Sequence, residues 1–285
     1  MIGRILIIGL GLMGGSLAKA FKKLGYSIDS YDINKDYLEL AKKEVIISEI
    51  ITSFDIPQNK YDFIFICTPV KETLEILKIL SSKRVNSIIT DIGSTKKEIV
   101  ESAMKLNMFN FIGGHPMAGT EMIGYPFSNE KILSNAYYFI TPTIFNNQSD
   151  IAKLKELLTK IGCRVEEIDF NIHDYLTGII SHLPHVASAA LVNMLQEENS
   201  FDYCKFAAGG FKDTTRISSS SPKMWLDVSL SNKEILNNLI DKYIDLINNF
   251  KKALNDNNKD FIFNYFNTAK TLRDKIVREQ NGNKN

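Results

Sequence analysis

The chain has 285 residues, 44% of them apolar, so it is long enough for two domains and can bury a large core without disulfide or metal staples. Its 34 basic and 33 acidic residues give a formal net charge of +1, which argues against a duplex-DNA binder with a broad basic face. Cys67, Cys163 and Cys204 are odd in number and far apart, so they suggest neither a disulfide framework nor a CxxC site, and a reducing cytoplasm is expected. No run of 18 or more apolar residues is present, so neither a membrane nor a nucleic-acid partner is expected.

The first half alternates strand-like and helix-like segments. Ile5–Ile8 is a short apolar run that leads into a glycine cluster and an amphipathic stretch ending at Leu24. Ser27–Tyr31 reads as a second strand, Lys35–Glu44 as a helix, and Phe63–Ile66 as a buried strand ending at Thr68-Pro69. Ser87–Thr90, Phe109–Ile112 and Tyr137–Thr141 read as further strands, followed by a helix near Ile151–Ile161 and a strand near Arg164–Ile168. Short, fully apolar strands separated by helices imply a parallel sheet covered on both faces. After about Asn171 helical periodicity takes over, with helices expected at His173–Gln196, Ser231–Leu254 and Lys259–Val277. The fold class is therefore α/β. A doubly wound parallel sheet of Rossmann type is expected over 1–170 and an all-α domain over 171–285.

Gly9-Leu10-Gly11-Leu12-Met13-Gly14 is a GxGxxG sequence that follows a predicted strand and opens a predicted helix. Gly9 permits the tight turn, Gly11 lets a pyrophosphate approach the backbone, and Gly14 lets helix and strand pack closely. The helix N-terminus directs free N–H groups at the phosphates. Asp32, at the end of the second strand, stands where an acidic residue would bind the ribose hydroxyls and repel a 2′-phosphate. The motif thus points to a dinucleotide, and to NAD over NADP, although Lys35 nearby could offset Asp32. The bland alternative is a glycine-rich turn before an ordinary helix, with Asp32 capping the next one.

Four clusters carry the remaining chemistry: DIGSTK at 91–96, GGHPMAGTE at 113–121, SHLPH at 181–185 and GGFKDTTRI at 209–217. Together with GLGLMGGSLA and CTPV at 67–70, these motifs resemble the prephenate/arogenate dehydrogenase family of tyrosine biosynthesis, in the family's order and over about two-thirds of the chain. The resemblance implies a nucleotide-binding domain, a helical domain that forms a homodimer, and NAD-dependent oxidative decarboxylation of prephenate to 4-hydroxyphenylpyruvate. It implies His115 as the residue that accepts the hydrogen bond of the substrate hydroxyl, and Ser94 beside it on the nicotinamide side. It assigns Arg216 to a substrate carboxylate, a role its planar fork suits. Asp213 would orient that guanidinium, and Glu121 would act at the pocket mouth. His182 or His185 would line the side-chain end of the pocket. Leu12, Met13, Thr68 and Pro69 join the three glycines, Asp32 and Ser94 as cofactor contacts.

Plainer readings stand beside these. His115 could anchor a turn, Arg216 could pair with Asp213 on the surface, and His182 and His185 could simply pack. The three-residue spacing of the last two, with His173 near, would also suit a metal, but no supporting pattern accompanies it and hydride transfer needs none, so no metal is expected. Trp225 and the aromatic residues from Phe261 to Phe266 read as core or interface, and Cys67 as a buried small hydrophobe. The chain ends soon after the last helix, and a monofunctional enzyme is expected. Arogenate is the alternative substrate. A 3-hydroxyacid or ketopantoate type of dehydrogenase and a non-catalytic NAD sensor are more distant alternatives.

Overall fold

Four apolar residues in a row, Ile5 to Ile8, fit a strand only if both of its faces are buried. The computed structural model, which describes residues 2–120, 122–197 and 203–282, places them at the centre of a five-stranded parallel sheet. In chain order the elements are β1 (Arg4–Ile8), α1 (Leu12–Lys23), β2 (Ser27–Tyr31), α2 (Lys35–Lys43), β3 (Glu49–Ile50), β4 (Phe63–Ile66), α3 (Val70–Lys83), β5 (Ile88–Asp91) and α4 (Lys97–Lys105). The strand order is β3-β2-β1-β4-β5, the doubly wound arrangement. Alternate side chains serve opposite faces. Ile5, Ile7, Phe63 and Phe65 pack with Leu17 and Phe21 of α1, whereas Leu6, Ile8, Ile64 and Ile66 pack with Leu77 of α3 and Ile99 of α4. The turns after β1, β4 and β5 therefore open at one edge of the sheet, where ligands of such folds bind.

A second sheet follows: β6 (Gly113–Pro116), β7 (Tyr137–Thr141) and, after α5 (Gln148–Lys160), β8 (Arg164–Glu167). It is mixed, with β6 antiparallel and β8 parallel to β7. The strand expected at Phe109–Ile112 lies further on. Phe111 makes only an isolated bridge to Ile89, and the ladder forms over Gly-Gly-His-Pro instead. Apolar propensity favours the first segment, but close approach selects the second. A Cβ on Gly114 would lie 2.5 Å from the Asp91 carbonyl oxygen, and one on Gly113 would lie 2.3 Å from Thr141 Oγ1.

Helices then take over: α6 (Phe170–Thr177), a π-helical turn (Gly178–His182), α7 (Leu183–Glu197), α8 (Tyr203–Phe206), α9 (Gly209–Thr215), α10 (Pro222–Ser231), α11 (Lys233–Asn255) and α12 (Lys259–Gly282). The single helix expected over His173–Gln196 is interrupted by the wider turn ahead of Pro184, which has no N–H to give to the preceding turn. The run Phe170–Gln196 is long and apolar enough to cross a membrane by length and composition. Its polar side chains His173, Asp174, Thr177 and His182 are nonetheless buried.

The chain forms two compact units, Met1–Ile235 and Leu236–Asn285, so the boundary expected at 170/171 falls inside the first. Within that unit α6 packs against α4, and α10 against α3. In the second unit Phe250 packs on Tyr265 with ring centroids 4.8 Å apart.

The tightest constraint in the sheet lies where α1 leaves β1. Gly9 has φ +97°, and a Cβ on Gly14 would stand 1.9 Å from the Gly9 carbonyl oxygen. Gly14→Ala must push α1 off the strand. It is expected to cost roughly 1–3 kcal/mol in urea unfolding, the usual range for forced overpacking, and an unchanged midpoint would contradict this packing.

Candidate active site

The edge of the sheet opens into a cavity of about 760 Å³ lined entirely by the first compact unit. The β1–α1 turn contributes Gly11, Leu12, Met13 and Gly14, and the segment after β4 contributes Cys67, Thr68 and Pro69. The loop after β5 adds Ser94, β6 adds His115, and the helical part adds His182, His185, Arg216 and Trp225.

The glycine turn fits a dinucleotide. A Cβ on Gly11 would meet nothing within 4 Å, so open space lies beside that backbone. Gly11 is also the N-cap of α1 and has no side chain with which to satisfy the first-turn N–H groups, and no acidic residue occupies that turn. Those donors remain for a phosphate. Asp32 accepts from the backbone N–H groups of Leu10 and Asn34, so the carboxylate is clamped to the glycine turn.

His115 is anchored from behind. Its strand is tied to β5 by the Asp91 carboxylate, which accepts from Gly114 N at 3.0 Å and from Gly93 N at 2.7 Å. The fully buried Lys96 Nζ pairs with that carboxylate and donates to the Gly114 carbonyl oxygen at 2.7 Å. One charged pair thus fixes both the loop that carries Ser94 and the strand that carries His115. Burial pulls the Lys96 ammonium below its ordinary range, with Asp91 opposing.

A chain of hydrogen bonds then sets the His115 tautomer. His173 Nδ1 lies 2.7 Å from Asp174 Oδ1, and a carboxylate only accepts, so this nitrogen carries the proton. His173 Nε2 in the neutral ring is therefore an acceptor, and it lies 2.9 Å from His115 Nδ1. His115 donates there, which leaves a lone pair on its Nε2. Burial first, and then the neighbours His173, Lys96 and His182, hold His115 well below the usual imidazole range. Burial also lowers His173, against the Asp174 carboxylate. Asp174 itself accepts from the Lys96 and Lys97 backbone N–H groups at 2.7 and 3.0 Å, so it caps α4 from another helix. Burial opposes its charge, but the bonds from His173 and from these amides prevail and hold its carboxyl below the ordinary carboxylate range.

His182 has the opposite tautomer. Asn232 Nδ2 lies 2.9 Å from the Asp174 carbonyl oxygen, an acceptor, so this atom is the amide nitrogen. It is also 2.9 Å from His182 Nδ1, which must accept, so the proton sits on Nε2. His185 Nδ1 donates to the Ser181 carbonyl oxygen at 2.9 Å, and its ring stacks on Trp225 at 3.8 Å.

This arrangement is a nucleotide cradle opening beside a buried imidazole base. Two family models cover the chain. The nucleotide-binding domain of prephenate dehydrogenase matches residues 17–167, and the dimerization domain of prephenate dehydrogenase matches 169–268. The chain belongs to the prephenate dehydrogenase family. It is 37% identical over 286 residues to the prephenate dehydrogenase of Bacillus subtilis, covering 98% of this chain and 77% of that one. The prephenate dehydrogenase of Aquifex aeolicus, solved with hydroxyphenyl propionate and NAD+, superposes with a TM-score of 0.90 at 33% identity over 97% of this chain and 99% of that one. The arogenate dehydrogenase of Synechocystis superposes with a TM-score of 0.82 at 28% identity over 95% and 99%. Membership makes the chain an NAD-dependent oxidoreductase with a Rossmann-like domain followed by a helical one.

Of the residues singled out in the sequence, Gly11, Leu12, Met13, Gly14, Thr68, Pro69, Ser94, His115, His182, His185 and Arg216 meet in the one cavity. Gly9 and Asp32 are not among its lining residues; Asp32 is bonded to the glycine turn at Leu10 N. Asp213 is exposed on α9 and does not line the cavity. Glu121 lies outside the described residues. Trp225, expected in the core or an interface, forms part of the cavity wall, and Cys67 is half-buried, packed against the core and bordering the cavity. Sequence reading missed His173 as the partner of His115, gave Lys96 no role within the DIGSTK cluster, and missed Asp174 and Asn232 altogether. The adjacent His-Asp pair just inside a helix capped by Asp169 was the available signal.

Four imidazoles held neutral make the fold acid-sensitive. Burial pushes His182 down to about 4, from 6.5 in the open chain. The unfolded chain therefore takes up a proton below about pH 6.5 that the folded state refuses until about pH 4. Across that window stability is expected to fall by about 3 kcal/mol from His182 alone. Urea midpoints measured at several pH values check this, and a flat profile would contradict it.

Proposed function

We propose that this protein oxidises and decarboxylates prephenate to 4-hydroxyphenylpyruvate, with NAD as acceptor. The observation that carries this reading is the Asp174–His173–His115 relay, which presents an unprotonated Nε2 beside the nucleotide cradle. When bound along the Gly9–Gly14 turn, Thr68 and Pro69, NAD supplies the acceptor for the hydride that leaves the substrate's C4. Asp32 would hold the ribose hydroxyls and Ser94 the nicotinamide side.

His115 Nε2 takes the proton of the C4 hydroxyl as the C4–H bond breaks. The new imidazolium is stabilised through His173 by the Asp174 carboxylate. Arg216 holds a substrate carboxylate. The C1–carboxylate bond then breaks, carbon dioxide leaves, and the bonding electrons enter the ring, which becomes aromatic. The oxygen at C4 recovers its proton from His115, so the relay ends as it began.

The homodimer is part of the same proposal. The dimerization-domain match supports it, and so do the exposed apolar side chains Ile244, Ile247, Leu254, Phe263, Phe266 and Leu272 of the second unit. Light scattering at micromolar concentration is expected to give twice the chain mass. A monomeric mass would reject this part.

NADH formation with purified protein and prephenate tests the reaction. His115→Asn is expected to lower kcat by a factor on the order of 10²–10⁴ while leaving NAD affinity intact. Asp174→Asn places an amide against His173 and permits the wrong tautomer, so kcat is expected to fall by a similar order. In the unaltered enzyme, His115 must be neutral to act, and burial keeps it so. The acid limb of kcat/KM is expected below pH 6.5, with activity lost only as pH falls through the lowered value. An acid limb at or above the ordinary imidazole range would contradict the proposed base.

A further inference from the structure

Arg216 opens a short 3₁₀ turn (Arg216–Ser219) that follows α9 directly, and it lines the cavity. The hydroxyls of α9 do not brace that turn. Those of Thr214 and Thr215 donate back to the Gly210 and Phe211 carbonyl oxygens of their own helix, at 2.8 and 2.7 Å. The turn is held from outside instead. Ser188 of α7 is 3% exposed, and its Oγ lies 3.2 Å from the Thr214 carbonyl oxygen and 2.6 Å from Ser218 Oγ. A carbonyl oxygen only accepts, so the single Ser188 proton goes to Thr214, and Ser218 donates to Ser188. One buried hydroxyl therefore grips the chain two residues before Arg216 and two residues after it.

The same side of α7 reaches the cavity. His185, three residues before Ser188, shares that helix face and lines the cavity. Burial lowers the His185 imidazole, its bond to Ser181 opposes this, and the nearby Arg216 charge lowers it further. A guanidinium binds a carboxylate through two parallel bonds, and that pairing is lost when the fork turns or shifts. The Arg216 side chain is long and exposed, so its fork returns to one place only if its backbone is fixed.

We propose that Ser188 is a positioning residue for substrate binding: it fixes the backbone on both sides of Arg216, so that the guanidinium meets a substrate carboxylate in bidentate register. This rests on the function proposed above, in which Arg216 holds that carboxylate. Ser218 is the other half of the latch. Neither serine is among the residues that line the cavity, so both act through Arg216. The carboxylate contact exists in ground and transition states alike, so loosening it appears in KM and not in kcat.

The test measures kcat and KM for prephenate together with the Kd of NAD. Ser188→Ala keeps a good helix former in α7 and removes only the hydroxyl. It is expected to raise KM about tenfold, with kcat within about twofold and the Kd of NAD unchanged. Ser218→Ala, on a half-buried residue, is expected to do the same from the other side, whereas Ser218→Thr keeps the hydroxyl and is expected to keep KM near that of the unaltered enzyme. Arg216→Ala is expected to raise KM more than either. Adding Ser188→Ala to Arg216→Ala is expected to change KM no further, because the latch then has no guanidinium to position. An unmoved KM in both alanine variants, equal KM in Ser218→Thr and Ser218→Ala, a full second rise when Ser188→Ala is added to Arg216→Ala, or a matching loss of NAD affinity would each overturn the positioning role while leaving the reaction standing. No turnover of prephenate by the unaltered enzyme would overturn the reaction itself and this inference with it.

Discussion

The carboxylate of Asp174 holds the site together. It satisfies two backbone N–H groups at the start of α4 and takes the Nδ1 proton of His173, so it joins a sheet-side helix to the helical segment that follows β8. Each of these bonds favours the ionised form, which is how a nearly buried carboxylate keeps its charge against desolvation. The same residue uses its main-chain carbonyl to orient Asn232. One residue therefore sets two imidazoles in opposite senses. Through its side chain His115 keeps a lone pair on Nε2, and through its backbone His182 keeps a proton there. Hydrogen-bond partners behind the rings thus supply both tautomers at one pH without any difference in charge.

The second constraint is the Asp91–Lys96 pair. Both side chains are fully buried, so the pair costs desolvation energy that their attraction need not recover, and its presence is weak evidence for stability. Its geometry is more informative. Asp91 ends β5, Lys96 precedes α4, and the two meet over Gly114, one residue before His115. Glycine at 113 and 114 is what allows the strand to come so close. Ser94 follows the last strand of one sheet and His115 lies in the other, and this pair ties their backbones to a common point.

The sequence carried the local part of this picture well. The glycine turn, the strand before it and Asp32 lie within one βαβ unit, so spacing alone is informative there. The clusters around Ser94, His115, His182 and Arg216 were visible as motifs, and the fold brings them to one cavity. What spacing could not give was pairing across the chain. His115 and His173 are 58 positions apart, as are Asp174 and Asn232, and nothing in either segment names its partner. The Phe109–Ile112 segment misled for a related reason. Strand propensity there is satisfied by burial beside β5, whereas the ladder depends on glycines whose value lies in what a side chain would hit. Trp225 read as packing because a tryptophan ring normally is, and only its unmatched nitrogen distinguishes it.

In the proposed reaction, burial of His115 involves a trade. Desolvation keeps His115 unprotonated and ready, but a depressed pKa also makes it a poorer proton acceptor at the moment of reaction. The relay resolves this by acting chiefly on the charged form. While His115 is neutral, its bond to His173 is an ordinary one between neutral rings. Once it holds the proton, that bond becomes charge-assisted, and the chain ends on a carboxylate already fixed by two amides that need not move. Stabilisation that grows as charge develops lowers the barrier, where the same stabilisation given to the resting state would not. The arrangement therefore places the carboxylate one imidazole away from the base rather than against it. Asp174 in direct contact with His115 would favour imidazolium in the empty site and remove the lone pair that the reaction needs.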